Sequence, residues 1–187
     1  MDHTVYTQSV EKWGIFEITL AGCQDKNPFV DYDIWGEFTS RNEQKKVDGF
    51  YDGNGVYRVR FMPSFEEEYT FRIGGSFRED GFRGSFQVTA PPAGNHGPVR
   101  VANTWHFAYE DGTPYYPLGT TCYVWNLQTE ELQQQTLETL KANAFNKIRF
   151  CIFPKHYDYN LNEPISYPYE GTPCDSSVLT RENFSAI

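Results

Sequence analysis

The sequence predicts a mainly β chain: an antiparallel sandwich followed by the opening of a larger α/β domain. Three observations predict it. Short runs of period-two alternation occupy residues 1–90, so each strand has one dry face and one wet face. A stretch rich in Pro and Gly follows. Beyond it come an apolar run, a helical pattern and a second apolar run, which is the order of a βαβ unit.

In the first part, Trp13 to Leu20 places Phe16, Ile18 and Leu20 on one face, apart from Glu17 and Thr19. Val30 to Phe38 alternates again. Val56 to Met62 sets Tyr57, Val59 and Phe61 against Arg58 and Arg60, and the arginines are expected on the outer face or at a contact with the second domain. Tyr69–Ile73 and Ser85–Val88 repeat the pattern. Asp52-Gly53-Asn54-Gly55 and Gly74-Gly75 carry turn chemistry, because Gly and Asn tolerate positive φ. Glu66-Glu67-Glu68 is read as a solvated turn. Strands this short at such spacing make a sandwich, assigned to residues 1–90.

Ala90 to Pro98 has little to bury, and residues 91–98 are assigned as a linker. Trp105–Tyr109 and Tyr115–Leu118 flank Glu110-Asp111-Gly112-Thr113 as a hairpin. Pro117 to Tyr123 is the first apolar run. Glu130 to Ala142 carries Leu132, Thr136, Leu137 and Leu140 at helical spacing, with Thr129 as its N-cap and Asn143 as a left-handed stop. Ile148 to Phe153 is the second apolar run, broken by Arg149. A parallel pair needs both faces covered, and two strands with one helix cannot cover them. Residues 99–187 are therefore read as the first part of a larger domain, with a new helix opening near Thr180. The rival reading is a complete small α+β protein.

Composition bounds the function. The chain has 187 residues, 39% hydrophobic and 22% charged, with a net charge of −9. That is a globular balance, and it lacks the basic face expected of a nucleic-acid-binding domain. No apolar run approaches the ~18 residues of a membrane span. Aromatic residues make up 17% (15 Phe, 13 Tyr, 4 Trp), more than one core needs, so some are expected at a binding surface. The segment Met1 to Tyr6 has no basic or apolar stretch, hence no signal peptide, and a cytoplasmic location is expected. The four cysteines form no CxxC and no two histidines have ligand spacing, so no metal and no cofactor are expected. Cys122 and Cys151 are read as buried thiols.

The run Asp111 to Trp125 (DGTPYYPLGTTCYVW), with Phe145-Asn146-Lys147-Ile148-Arg149-Phe150 and Phe153-Pro154-Lys155-His156-Tyr157, resembles the opening of apiosidase-like and cellulase-like enzymes, glycoside hydrolases of the TIM-barrel clan. Asn27-Pro28-Phe29, Gly49 to Gly53 and Tyr57 to Pro63 resemble the N-terminal Ig-like domain that members of that group often carry. The resemblance implies an Ig/fibronectin-like sandwich followed by the first βαβ part of an incomplete (β/α)8 barrel. It implies that the chain is the N-terminal part of an enzyme acting on O-glycosidic bonds of a polysaccharide or oligosaccharide. Its partners would be the carbohydrate substrate and the remainder of the barrel, or an oligomer that hides the open edge.

Active sites of such barrels lie at the carboxyl ends of the strands. The candidate substrate-binding residues are therefore Tyr123, Trp125 and Asn126 after the first strand, and Lys155, His156 and Tyr157 after the second. An aromatic face suits sugar C–H groups, and the polar residues suit hydroxyls. Trp125 is read either as a platform or as core, and His156 either as a contact or as a plain loop residue. Arg149 alternates with Ile148, Phe150 and Ile152 and is expected inside the barrel, paired with a carboxylate. In the resembled clan an Arg at this strand supports the nucleophile, and Arg149 is assigned that supporting role. The catalytic carboxyl pair would come from the fourth and seventh strands, which this sequence does not contain. Asp158, Glu163, Glu170 and Asp175 are read as solvated or subsite-lining. The fragment alone is expected to be inactive. The alternative is a complete, non-catalytic glycan- or protein-binding β-sandwich module.

Overall fold

The computed structural model describes residues 4–76 and 78–152, the side chains of 78–80 excepted. The chain divides into two compact units, Met1–Tyr115 and Tyr116–Ile187.

Among its described residues the first unit holds twelve strands: β1 (Thr4–Tyr6), β2 (Ser9–Glu11), β3 (Phe16–Ala21), β4 (Ile34–Thr39), β5 (Gln44–Asp48), β6 (Phe50–Gly53), β7 (Val56–Phe61), β8 (Glu68–Gly75), β9 (Arg78–Thr89), β10 (Val99–Ala102), β11 (His106–Tyr109) and β12 (Pro114–Tyr115). One sheet has the order β1-β3-β7-β6 and the second the order β2-β9-β8-β4-β5. Pairing is antiparallel except where β2 runs parallel to the end of β9, Val10 beside Val88. Phe16, Ile18 and Leu20 on β3 and Tyr57 and Val59 on β7 are fully buried, as their alternation requires. Rings from the two sheets meet between them. Phe16 stacks on Phe86 at 3.7 Å and Phe38 on Phe61 at 4.2 Å, one ring of each pair from each sheet. This shared aromatic core makes the pair a β-sandwich.

Arg58 and Arg60 lie on the opposite, wetter face. Arg58 joins Asp52 at 2.6 Å and also reaches Glu17, while Arg60 meets Glu17 at 2.7 Å. Partial burial pushes the Glu17 carboxyl up, and the two guanidiniums outweigh it, so its pKa lies below the ordinary carboxylate value.

Two local expectations change and a third holds. Gly74-Gly75 is strand, not turn. A Cβ on Gly74 would stand 2.4 Å from the Trp35 ring, so the glycine makes room for the indole on the sheet surface. The strand expected from Val30 begins only at Ile34, because Asn27 folds the preceding residues: its side chain accepts from the Phe29 N–H and its carbonyl from the Asp31 N–H. Asp52-Gly53-Asn54-Gly55 does turn, with φ of 79°, 48° and 73° at its last three residues.

Strands β10, β11 and β12 form a separate antiparallel sheet within the first unit, with Phe107 opposite Tyr115. The hairpin expected here is present. His96, from the stretch read as linker, holds Asp111 at 2.7 Å.

The second unit contains β13 (Gly119–Thr121), a 3-10 turn (Trp125–Leu127), α1 (Glu130–Lys141) and β14 (Lys147–Arg149). Strands β13 and β14 pair in parallel, Thr120 beside Ile148. The side chain of Thr129 caps α1 by accepting from the Leu132 N–H. Asn143 does not adopt the left-handed conformation. It closes the helix by donating its side-chain amide to the Thr139 carbonyl at 2.7 Å. No residue of α1 is buried, and Leu132 is 44% exposed. Among the described residues of this unit only Asn126 and Leu127 are buried.

Candidate functional site

The parallel ladder of β13 and β14 continues past both strands. The Cys122 N–H donates to the Arg149 carbonyl at 2.8 Å, and the Cys151 N–H donates to the Tyr123 carbonyl at 2.9 Å. The chain then turns sharply at the carboxyl end of the first strand, where Trp125 donates its backbone N–H to Cys122. Tyr123, Trp125 and Asn126 thus come together at this end, and Arg149 reaches it from the second strand.

Helix α1 fixes the turn. The Trp125 indole N–H donates to the Gln133 carbonyl at 3.0 Å, and the ring packs edge-on against Phe150 at 5.4 Å. The Gln133 side chain donates to the Gln128 carbonyl at 2.7 Å and the Asn126 carbonyl at 3.4 Å. Trp125 is half-buried and immobilised, with part of its surface open. Gln133 was not legible as a site residue. It sits four positions after the cap, on the helix face that returns to the turn, and only that spacing hints at it.

Asn126 is 7% exposed, and neither its side-chain oxygen nor its nitrogen has a hydrogen-bond partner. A buried amide left so costs about 1–3 kcal/mol. Its hydrogen-bonding capacity is unused in this chain.

Arg149 is exposed, on the face opposite the half-buried Ile148, and its guanidinium lies 5.7 Å from the centre of the Tyr123 ring. Its charge is solvated in this chain. Cys122 and Cys151 are half-buried rather than fully buried, because the strand pair is so thinly covered. Lys155, His156 and Tyr157 lie outside the described residues, as do Asp158, Glu163, Glu170 and Asp175. Among the described residues, no group of three or more His, Cys, Asp or Glu could hold a metal, and no helix is long and apolar enough to cross a membrane. What the described cluster offers is an anchored aromatic face, an unpaired amide and a solvated guanidinium, the functional groups that suit hydroxylated, C–H-faced ligands.

Comparison with known proteins finds a family model and a similar solved structure. The family described as "Domain of unknown function (DUF5060)" matches residues 9–76, which span β2 to β8 of the sandwich. No curated protein matches. The 1.80 Å crystal structure of a "putative glycoside hydrolase" from Bacteroides vulgatus ATCC 8482 is 39% identical, with a TM-score of 0.83. The match covers 92% of this chain and 34% of that one, so the chain spans about a third of that protein's length. By fold this is a β-sandwich protein with an appended βαβ unit. By likeness it is similar to a glycosidase-related protein.

Proposed function

We propose that this chain is the N-terminal part of a glycoside hydrolase acting on a polysaccharide or oligosaccharide. In this reading an Ig/fibronectin-like sandwich precedes the first βαβ unit of a (β/α)8 barrel of the apiosidase-like and cellulase-like group. The reading is carried by the 39% identity that extends over 92% of the chain, both units included. The parallel pairing of β13 with β14 supports it, because that is the connection from which such barrels are built. The sparse burial in this unit supports it too: a helix with no buried residue and two half-covered strands leave surface for further strands to cover.

Tyr123, Trp125 and Asn126 line the substrate end of the first strand, and Lys155, His156 and Tyr157 follow the second. Trp125 offers a sugar its open ring surface. The buried amide of Asn126 meets a sugar hydroxyl or a residue from a later strand. Arg149 pairs with a carboxylate from a later strand once the barrel closes and water is excluded. The catalytic carboxyl pair comes from those later strands, so the fragment is inactive.

The test compares turnover of chromogenic aryl glycosides and release of reducing ends from plant polysaccharides by two proteins. One is the 187-residue chain; the other is the same chain extended by the sequence that follows Ile187 in its gene. Turnover by the longer protein alone is expected. Turnover by the 187-residue chain, or a gene that ends at Ile187, overturns the reading.

A further inference from the structure

The outer face of the five-stranded sheet carries an ordered set of polar side chains that the core does not use. Register sets Lys46, Glu37, Arg72 and Arg83 side by side across four strands. Thr39 and Thr70 form the neighbouring row. A groove of about 540 Å³ lies here, lined by Glu37, Thr39, Thr70, Arg72 and Arg83, together with Phe71 and Gly84.

Arg72 and Arg83 are directly opposite each other, an arrangement that costs stability unless an anion joins them. Neither forms an ion pair with a described residue, and the Arg72 Nε is buried with no acceptor. Trp35 holds the cationic end in place. Its indole lies across Gly74, with the Lys46 ammonium 4.4 Å and the Arg72 guanidinium 5.3 Å from the centre of the ring. Glu37 stands among these cations without bridging to them, an acceptor open to hydroxyl donors.

We propose that this groove binds the uronate residues of an acidic glycan. A carboxylate satisfies Arg72 and Arg83 together, as planar guanidiniums favour. The ring hydroxyls of the same sugar donate to Glu37 and exchange hydrogen bonds with Thr39 and Thr70. A neutral sugar leaves the two arginines unpaired, and a simple anion is repelled by Glu37 while leaving the hydroxyl partners unused. The groove volume falls in the range of small-ligand sites. The site lies wholly in the first unit and stands apart from the glycosidase reading, so either can fail without the other.

The test is calorimetric titration of the 187-residue chain with trigalacturonate, with its fully methyl-esterified form and with sodium sulfate. Arg83→Gln is the site variant. Arg100→Gln, which removes the same charge from a pair with Glu110 in another sheet, is the control. Saturable binding of trigalacturonate is expected, weakened roughly tenfold or more by esterification and by Arg83→Gln, and unchanged by Arg100→Gln. Arg83 is exposed, so its replacement is expected to leave the near-ultraviolet circular dichroism intact. If that variant fails to fold, the contrast between acid and ester still decides. The proposal is overturned by absent binding, by equal binding of the ester, by sulfate binding as tightly as the sugar, or by equal loss in both variants. A dimer that Arg83→Gln dissociates also overturns it, since the groove would then serve a second copy.

Discussion

Replacing Phe86 tests whether the two sheets share one core. Phe86 is 2% exposed, stacks on Phe16 at 3.7 Å and on Tyr69 at 5.5 Å, and has Phe38, Phe61 and Phe71 within 6.5 Å. Deleting a buried Phe side chain costs about 3–5 kcal/mol, as lost transfer energy plus the cavity left behind. Two stacked partners, each contributing about 0.5–1.5 kcal/mol beyond burial, place Phe86→Ala at the upper end. Phe86→Leu keeps much of the volume and loses the stacking, so it is expected to cost about 1–2 kcal/mol. The assay is guanidinium unfolding followed by near-ultraviolet circular dichroism, which reports the packed aromatics. Each kcal/mol corresponds to about 4–8 °C in Tm for a domain near this size. A loss under about 1 kcal/mol for Phe86→Ala would refute a core in which rings from both sheets interlock.

The other predictions concern single sites. Gly74→Ala forces a methyl into the Trp35 ring and is expected to cost about 1–3 kcal/mol, with a change in tryptophan emission as the indole lifts; unchanged emission would contradict the packing. Asn126→Leu removes a buried unpaired amide and is expected to raise the stability of the 187-residue chain by about 1 kcal/mol, while raising KM in the extended protein; denaturant melts and kinetics check the two halves. The Thr113 backbone N–H and then His96 lower the Asp111 carboxyl to a pKa of about 2 from an ordinary 3.8. A depressed carboxylate stabilises the folded state above its unfolded pKa and loses that contribution as pH falls through its folded pKa. The Tm difference between wild type and Asp111→Asn is therefore expected to shrink as pH falls from about 4 to about 2, and a difference that stays constant would contradict the assignment.

Much of the sandwich is written in the sequence because its strands are amphipathic. Phe16, Ile18 and Leu20 declare a buried face, as do Tyr57, Val59 and Phe61. Strand β5 was missed because Gln44-Lys45-Lys46-Val47-Asp48 is a polar edge strand with only Val47 packed on the core. Gly74-Gly75 looked like a turn because a glycine that admits a neighbouring ring has the same letter as one that reverses a chain. The helix was legible through its cap and period, and the parallel pairing followed from its placement between two apolar runs. The site was legible only in part. Residue type and position selected Trp125 and Asn126, but the bond from Trp125 to Gln133 and the unpaired state of Asn126 depend on folding. The charged row across the second sheet was illegible, because Glu37, Arg72 and Arg83 become neighbours only through strand register.

Amide hydrogen exchange gives the most direct test of the second unit as the opening of a larger domain. Exchange at Thr120, Thr121, Ile148 and Arg149 is compared between the 187-residue chain and the same chain extended by the sequence that follows it, with β7 and β8 as internal references. The account predicts that in the shorter chain these amides exchange long before those of β7 and β8, because little covers β13 and β14, and that in the longer protein they match them. Full protection of these four amides in the shorter chain would contradict it.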